Sequence, residues 1–434
     1  MKSPVTLQPV RLLSLALLAT VPTLGQSQVL KETVVTATRS EQSLVDVLAD
    51  VSIIDRSAIE RSGAGGVADL LARLPGVEFA RNGGPGSTTS VFVRGAESRY
   101  TAVYLDGVRI DSQSTGGATW EAIPLAQIDR IEVLRGPAAA VYGSDALGGV
   151  VQLFTKKGEG AFSPVLGIGM GSLGTRKLDA AFSGSQGAVD YSLGLADAKS
   201  TGFNSRTVAS QNPDLDGYKS QSANLRLGLK INDAHRLDAT ALAHSMNSQY
   251  DSNPRFVDER NLHKLQTLGL NWQARWRDDL SSRLSLTESR SRYETSPSPY
   301  LTLTRLRGLT WFNEYRRAAS TFTATLERKE DWLDNAPIAQ GRSQNALALG
   351  YGLREGAHTL QLNARRDNDS EFGSKSTGSA AYGYALSPQW RATASVGSAF
   401  RAPTVYQRFS IYGVPSLKPE SSRNAELGLR YTQG

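Results

Sequence analysis

Acidic residues recur at close spacing in two polar segments near the middle of the chain. The first contains Asp214 and Asp216 in the sequence DLDGY, and the second contains Asp251 after a tyrosine, followed by Asp258. Calcium takes about six to eight oxygen ligands, which carboxylates on flexible loops commonly supply, and an Asp-x-Asp-Gly turn offers two of them on one face. The pattern is therefore typical of a calcium site, although solvated acidic loops have the same composition.

Other patterns that could support chemistry are weak or missing from the sequence. There is no cysteine, which excludes disulfides, thiolate metal sites and cysteine nucleophiles. The four histidines lack HExxH spacing, and neither GxSxG nor a phosphate-binding GxxxxGK(S/T) occurs. Residues 169–174 fit GxGxxG, but the residues that follow alternate at period two, so a hairpin turn is favoured over a dinucleotide site. The sequence does not predict an enzyme.

Charge and targeting signals limit the cellular compartments in which this protein can be expected. The net charge of +7 comes from interspersed residues and not from a basic block, so nucleic-acid binding is not expected. Lys2 and Arg11 precede a short apolar run that ends in small and polar residues, which predicts a signal peptide over residues 1–28. No later segment reaches the roughly 20 apolar residues of a spanning helix. We therefore expect an exported protein that stays in the periplasm or enters the outer membrane as a barrel.

The stretch from Arg135 to Thr155, RGPAAAVYGSDALGGVVQLFT, separates two parts of the chain with different character. Its small residues allow close backbone packing, and its apolar end is typical of a strand buried on both faces. Before it, the pattern predicts a short helix from about Ser57, a second helix that ends at Pro75, and several short strands. The strands are expected at Val77–Phe79, Val91–Val93, Ala102–Leu105 and Ile128–Leu134. Together these elements predict a small α+β domain over residues 43–158.

From residue 159 onward, apolar residues alternate with polar or small ones over many segments. One example is Leu268, Leu270, Trp272, Ala274 and Trp276. An apolar outer face and a polar inner face are what a transmembrane β-barrel requires. Long polar loops are expected at 199–220 and 247–264. Soluble β-sandwiches show the same alternation but rarely have loops as long and polar as these.

Several of these segments resemble the TonB-dependent outer-membrane receptors. The sequence RGPAAAVYGS, the upstream SVFVRGAESRYTAVYLDGVRI and the downstream SAFRAPTVYQRFSIYGVPSLKPE are similar to the plug and barrel sequences of that family, closest to its cobalamin receptors. The resemblance implies a transmembrane antiparallel β-barrel around an N-terminal α+β plug domain. It also implies an outer-membrane location, a monomer, contact with outer-membrane lipid, and no catalytic residue. We count about 14 candidate strands, against 22 in plugged transporters of this kind, so the barrel is expected to be incomplete.

The resemblance assigns roles to particular residues. The segment KETVVTATR in the leader 29–42 resembles the TonB box, which implies strand pairing with TonB of the inner-membrane energy-transducing complex. Two glycine-rich plug loops, 81–90 and 111–120, are expected to face outward and to meet the ligand. The TonB box residues are Glu32, Thr33, Val34, Val35, Thr36 and Ala37. The ligand-contacting candidates are Asn82, Gly83, Thr88, Ser90, Ser112 and Gly116.

The ligand implied by the resemblance is cobalamin or a related corrinoid. Aspartates of adjacent loops in the cobalamin receptors bind calcium, which implies loop-ordering calcium here, with Asp197 as a further candidate beside the four aspartates above. A ferric-siderophore or haem receptor of the same family is the nearest alternative. A passive or non-functional barrel fragment is the other, because of the missing strands.

Overall fold

The computed structural model describes residues 34–35, 39, 42–43, 47–136, 138–208, 211–252 and 257–432. The predicted signal peptide lies outside the described residues, as do Glu32, Thr33, Thr36 and Ala37 of the leader. Within the described residues, no helix has the length and apolar character needed to cross a membrane.

The N-terminal part consists of short strands and single-turn or two-turn helices. Helix α1 is capped at its start by Asp55, whose carboxylate accepts from the Ala58 amide at 2.7 Å, and it ends at Gly63 in the left-handed conformation. The elements are β1 Val34–Val35, β2 Gln42–Ser43, β3 Asp50–Ile54, α1 Arg56–Ser62, α2 Val67–Leu71, β4 Val77–Arg81, β5 Thr89–Val93, β6 Thr101–Leu105, β7 Val108–Arg109, β8 Ile128–Arg135, α3 Ala139–Tyr142 and β9 Gly149–Thr155.

Strand β9 lies in the middle of the main sheet of this domain, whose order is β3-β8-β9-β6-β7. It pairs antiparallel with β8 and parallel with β6, so both of its edges are satisfied. Its side chains Val151 and Leu153 are fully buried, and they join Leu71, Trp120 and Ile131 in one apolar core. The stretch that ends in β9 therefore organises the plug domain as the sequence predicts.

The rest of the chain forms one antiparallel sheet of fourteen strands, called here the wall. Each strand pairs with the next along the chain, and no pairing joins β10 to β23 within the described residues. The strands are β10 Ser163–Gly171, β11 Thr175–Gln186, β12 Val189–Phe203, β13 Asp216–Lys230, β14 His235–Tyr250, β15 Glu259–Arg277, β16 Leu280–Ser296, β17 Tyr300–Arg317, β18 Ser320–Asn335, β19 Ile338–Glu355, β20 His358–Asp369, β21 Gly373–Ala385, β22 Trp390–Arg401 and β23 Glu420–Tyr431. Helix α4, Val405–Phe409, lies between β22 and β23.

The two ends of the wall differ in the length of their connections. At one end all the turns are short, such as 187–188, 278–279 and 318–319. The opposite end carries longer connections at 204–215, 251–258 and 402–419, and this end is called the loop end. Short turns on the periplasmic side and longer loops outside are typical of outer-membrane barrels.

The outward face of the wall is apolar above a row of aromatic rings. Exposed leucines alternate along the strands, including Leu193, Leu195, Leu225, Leu227, Leu268, Leu270, Leu309, Leu347 and Leu349. Exposed rings gather at the short-turn end: Trp276, Phe322, Tyr382, Tyr384, Trp390 and Tyr431. An apolar band edged by an aromatic girdle is the pattern of a lipid-facing barrel surface.

The inward face holds the plug through buried charges. On β18, Glu327 accepts from Arg39 at 2.9 Å, Lys329 donates to the Tyr142 carbonyl at 2.8 Å, and Asp331 pairs with Arg109 of β7. These three inward side chains are each less than a tenth exposed. One strand of the wall therefore holds the leader, α3 and β7 of the plug.

The alternation correctly predicts the fourteen strands, but the predicted loops are too long. Strand β12 ends at Phe203 and β13 begins at Asp216, so both enter the predicted loop 199–220. Strand β14 ends at Tyr250 and β15 begins at Glu259, so both enter the predicted loop 247–264. The polar ends of these strands continue the ladder hydrogen bonds beyond the apolar band, and polar composition alone does not separate strand from loop there. The segment before β9 also contains the single-turn helix α3, which the glycine and alanine pattern does not predict.

Removal of the Glu327 charge should loosen the plug. Glu327 also accepts from Arg365 at 2.7 Å, so Glu327→Gln leaves two buried arginines short of negative charge. Breaking a buried ion pair from one side costs about 3–5 kcal/mol. We expect that loss in the free energy of unfolding, measured by denaturant titration. The control is Glu330→Gln on the outward face of β18, whose pair with Arg328 is exposed and is worth at most about 1 kcal/mol. Equal losses of unfolding free energy in the two variants would contradict the role of Glu327 in holding the plug.

Candidate functional site

Three of the predicted calcium-binding aspartates meet at the loop end of the wall. Asp214 belongs to the connection between β12 and β13, Asp216 begins β13, and Asp251 follows β14. Each offers a carboxylate oxygen, and these oxygens lie within 4.8 Å of one another. Because β13 and β14 are neighbours in the sheet, the loop at the start of one and the loop at the end of the other are side by side.

The charges within this group of three are poorly compensated by protein. Asp216 accepts from the Ser205 amide at 2.9 Å and from its hydroxyl at 2.6 Å. By contrast, one oxygen of Asp214 and one of Asp251 are buried without a hydrogen-bond partner. Burial and the neighbouring carboxylates raise the pKa of Asp251 to about 6. Buried carboxylate oxygens with no donor are a donor set that fits a hard divalent cation such as calcium.

The other two predicted aspartates are placed differently. Asp258 accepts from Gln249 at 3.1 Å and pairs with Arg260 at 2.9 Å, and its charge contributes to raising the pKa of Asp214. It therefore lies beside the group of three with its carboxylate turned to protein donors. Asp197 lies on β12, where it accepts from Gln221 at 2.9 Å, and it is not brought into the group.

The first plug loop, 81–90, is docked against these acidic loops. The Gly86 carbonyl accepts from the Ser248 hydroxyl at 2.9 Å. At Gly86, φ is +101°, which residues with a side chain rarely adopt, and an added Cβ would lie 3.0 Å from Cβ of Ser248, so this close approach favours glycine. At Gly83, an added Cβ would lie 3.3 Å from Cβ of Ser205, the residue that bonds Asp216. The plug loop and the acidic group therefore share one contact surface.

The predicted ligand contacts in this loop differ in exposure. Asn82 and Thr88 are exposed, and the Asn82 amide donates to the Thr88 carbonyl at 3.1 Å, which closes the loop. Gly83 and Ser90 are half-buried. Their exposed side-chain amide and hydroxyl groups, at the base of the loop beside β4 and β5, can face a ligand.

The second plug loop, 111–120, packs against the connection that carries α4. Thr404 caps α4 and donates from its hydroxyl to the Ser114 carbonyl at 3.2 Å. Arg401 donates to the Arg99 carbonyl at 3.0 Å and covers Gly116, where φ is +77°. Ser112 and Gly116 are therefore half-buried.

Sequence reasoning misses Ser205, Arg401 and Thr404 as residues that position the two plug loops. Arg401 and Thr404 lie in the sequence FRAPT, which from the sequence alone is only part of the family resemblance. Their long-range contacts, with the loops 81–90 and 111–120, leave no local pattern.

The TonB box segment is partly described. Val34 and Val35 form the strand β1, which pairs antiparallel with β2 in the register Val34 to Ser43 and Val35 to Gln42. The pairing of these two residues with β2 does not test the pairing with TonB, which stays a prediction.

A strand wall with an aromatic girdle, an apolar outer face and a folded plug held on its inner face defines the class of plugged outer-membrane transport barrels. Two family descriptions match the chain: "TonB-dependent Receptor Plug Domain" over residues 43–150, and "TonB dependent receptor-like, beta-barrel" over residues 158–434. The chain belongs to the TonB-dependent receptor family. It is an outer-membrane protein of TonB-dependent transport that works with TonB and binds a substrate, and its relatives are transporters and not enzymes.

The relatives and the solved structures that this chain resembles are themselves described by different ligands. The vitamin B12 transporter BtuB of Vibrio cholerae serotype O1 is 33% identical over 421 residues, which covers 93% of this chain and 68% of that protein. The BtuB of Photobacterium profundum is 30% identical, over 92% of this chain and 67% of that protein. Among solved structures, the siderophore receptor PirA from Acinetobacter baumannii has a TM-score of 0.77 at 19% identity and covers 88% of this chain and 68% of its own. A mutant of the ferric enterobactin receptor PfeA from Pseudomonas aeruginosa has a TM-score of 0.76 at 19% identity. The match covers 89% of this chain and 70% of that one. At these identities the structures show a shared fold alone.

The stability of the plug should depend on pH through Glu121. This side chain lies between the plug and β15: it accepts from the Thr89 amide at 3.2 Å and lies 3.8 Å from His263, while Arg81 is the nearby cation. Burial raises its pKa from 4.5 to about 7. The folded plug therefore binds this proton more tightly than the unfolded chain, so stability should fall by about 3 kcal/mol as pH rises from 4.5 to 7.

Amide hydrogen exchange in β5, corrected for intrinsic rates and compared at pH 5 and pH 8, measures this change. Glu121→Gln keeps the shape and stays neutral, so it should remove the pH dependence. A dependence that persists in the variant would contradict the role of Glu121.

Proposed function

We propose that this chain takes up cobalamin or a related corrinoid across the outer membrane. The observation that carries the proposal is the 30–33% identity to vitamin B12 transporters over more than nine-tenths of the chain. The siderophore-receptor structures share the fold at 19% identity. The acidic group at the loop end supports the same choice of ligand, because a calcium-ordered binding rim is what the resemblance to cobalamin receptors implies.

In this proposal calcium binds between the two acidic loops. Asp214, Asp216 and Asp251 would hold it, with Asp258 beside them as a further candidate, whereas the structure places Asp197 on β12 outside this group. The ion neutralises carboxylates that now repel one another, so it would fix the connections 204–215 and 251–258 in place. Those connections contact the plug loop through Ser205 and Gly83, so calcium would set the shape of the ligand surface.

The ligand would lie on the plug loops at this end. A corrinoid carries amide groups around its ring, and exposed amides and hydroxyls are suitable partners for them. Asn82 and Thr88 offer these groups at the base of the first loop. Gly83, Ser90, Ser112 and Gly116 are the remaining candidates, and their part exposure suits backbone contacts.

Transport would be driven by a pull on residues 32–37. TonB would add to this segment as a strand, and main-chain hydrogen bonds would transmit the force. Arg39 follows the segment after one intervening residue and is paired with Glu327 of the wall. This ion pair would therefore be the first contact between leader and wall to bear the pulling force. The protein would act as a monomer, with the leucines of the outward face in contact with lipid.

A ferric-siderophore receptor is the second candidate, because the solved structures that match are receptors of that kind. The two functions differ in their need for calcium, since siderophore binding does not use the acidic group in this proposal.

We expect cobalamin affinity to depend on calcium through the acidic group. Asp214→Asn with Asp251→Asn removes two of the three negative charges and keeps the side-chain shape, so calcium binding should weaken at least about tenfold, and cobalamin affinity in calcium should fall toward its value in chelator. Equilibrium binding of cobalamin to the purified protein, with calcium and with EDTA, measures this.

The matched control is Asp233→Asn, an exposed aspartate at the short-turn end that pairs with Lys230. Its cobalamin affinity should keep the calcium dependence of the parent protein. Affinity that does not change on chelation would refute the calcium rim and favour the siderophore candidate.

Val34→Pro should abolish uptake and leave ligand binding intact. Proline removes a main-chain donor from the segment that would pair with TonB, whereas the binding surface lies at the other end of the plug. Cellular uptake of labelled cobalamin and equilibrium binding are measured on the same variant. Uptake that continues in the variant would indicate a passive pore.

A further inference from the structure

The outward face of the wall carries a groove of about 600 Å³ on the strands β13 to β18. Its floor is formed by Ala239 and Ala241 of β14, and its sides are formed by leucines on the neighbouring strands: Leu225, Leu227, Leu268 and Leu270. In the sheet register, each alanine lies directly between two of these leucines. The short side chains therefore leave a trough in a surface that is otherwise covered by leucine.

One side of the groove is charged. Arg307 and Glu330 line it, and both also line a second outward groove of about 290 Å³ that continues toward the loop end. The second groove is polar at its walls, where Arg305 and Ser343 contribute. An apolar trough therefore leads into a polar one, with Arg307 at the junction.

Positive charge is in excess at this junction. Glu288 bonds both Arg290 and Arg307 at 2.6 Å, so one carboxylate serves two guanidinium groups. Arg290 and Arg305 occupy directly opposite positions on β16 and β17, and like charges opposite each other destabilise a sheet unless an anion lies between them. Together with the exposed Arg328–Glu330 pair, the junction contains four arginines and two glutamates. They are Arg290, Arg305, Arg307, Arg328, Glu288 and Glu330.

The height of the junction matches the edge of a membrane. Arg307 precedes Tyr315 of the short-turn end by eight residues on β17. Eight residues span about 26 Å along a strand, or about 20 Å along the barrel axis at a tilt of about 40°. The apolar band of an outer-membrane barrel is about 25 Å tall. Counted from the aromatic row, Arg307 therefore lies about 5 Å below the upper edge of this band, and its long side chain can extend to the outer-leaflet headgroups. The alanine groove lies at the level of the acyl chains.

We propose that these two grooves bind one lipid of the outer leaflet that bears a phosphomonoester. An acyl chain lies over Ala239 and Ala241, and the phosphate lies between Arg305 and Arg307. Guanidinium groups bind phosphate oxygens through paired, charge-assisted hydrogen bonds, and the phosphate relieves the repulsion between Arg290 and Arg305. The site requires the outer-membrane location and is independent of which ligand is transported.

Phosphatidic acid and diacylglycerol with the same acyl chains are the test pair, because they differ only in the phosphate. We expect native mass spectrometry of the full chain in detergent to show one tightly retained phosphatidic acid and weaker retention of diacylglycerol. Arg305→Gln with Arg307→Gln should weaken phosphatidic acid binding about tenfold or more. Ala239→Leu with Ala241→Leu should fill the groove and reduce the retention of both lipids.

The matched control is Arg316→Gln with Arg317→Gln, which removes the same charge from the short-turn end of β17 and should leave retention unchanged. Heat-modifiable migration on a gel verifies that each variant has folded as a barrel. Equal retention of the two lipids, or equal losses in the two arginine double variants, would overturn the site. Neither result would alter the calcium dependence of cobalamin binding, so the two proposals fail separately.

Discussion

The buried charges between the plug and the wall are the constraint on which the rest of the structure depends. Along β18, Glu327, Lys329 and Asp331 point inward and meet the leader, α3 and β7 of the plug. A charge removed from water is tolerated only when it is paired, so the plug has one position in which these groups are all satisfied. Apolar contact would hold a plug as firmly, but charged groups can be rehydrated when they separate. A polar interface is therefore suited to a part that must both block and move.

The same interface links the two ends of the molecule. At the loop end, Gly86 contacts Ser248 of β14 and Gly83 lies against Ser205 of the connection 204–215. At the opposite side Arg39 reaches Glu327. The plug sheet, with β9 at its centre, lies between these contacts as one packed unit. A change in the acidic loops and a pull on the leader therefore act on the same packed unit, which is how binding outside and force inside can be coupled.

Much of the fold could be predicted from local pattern, and much of the site could not. Alternation predicts the fourteen strands because the lipid imposes it on every strand. Asp214, Asp216 and Asp251 could be grouped because the loops of adjacent hairpins must be neighbours. The positions of Asp197 and Asp258 could not be predicted, because they depend on the side-chain partners Gln221 and Arg260. Arg401 and Glu121 act through residues far along the chain, and such contacts leave no signal in a single sequence.

If TonB pairs with residues 32–37 as proposed, the pairing of Val34–Val35 with Gln42–Ser43 competes with it. Each of these short strands spans only two residues, so the pairing is worth little, and a longer strand from another protein would displace it. While it persists, however, the edge of the segment is occupied by the chain itself. The β1–β2 pair would then be a weak intramolecular competitor, so TonB would have to exceed a certain concentration to displace it. It would also keep an extended segment with an unpaired edge from adding to the sheets of unrelated proteins.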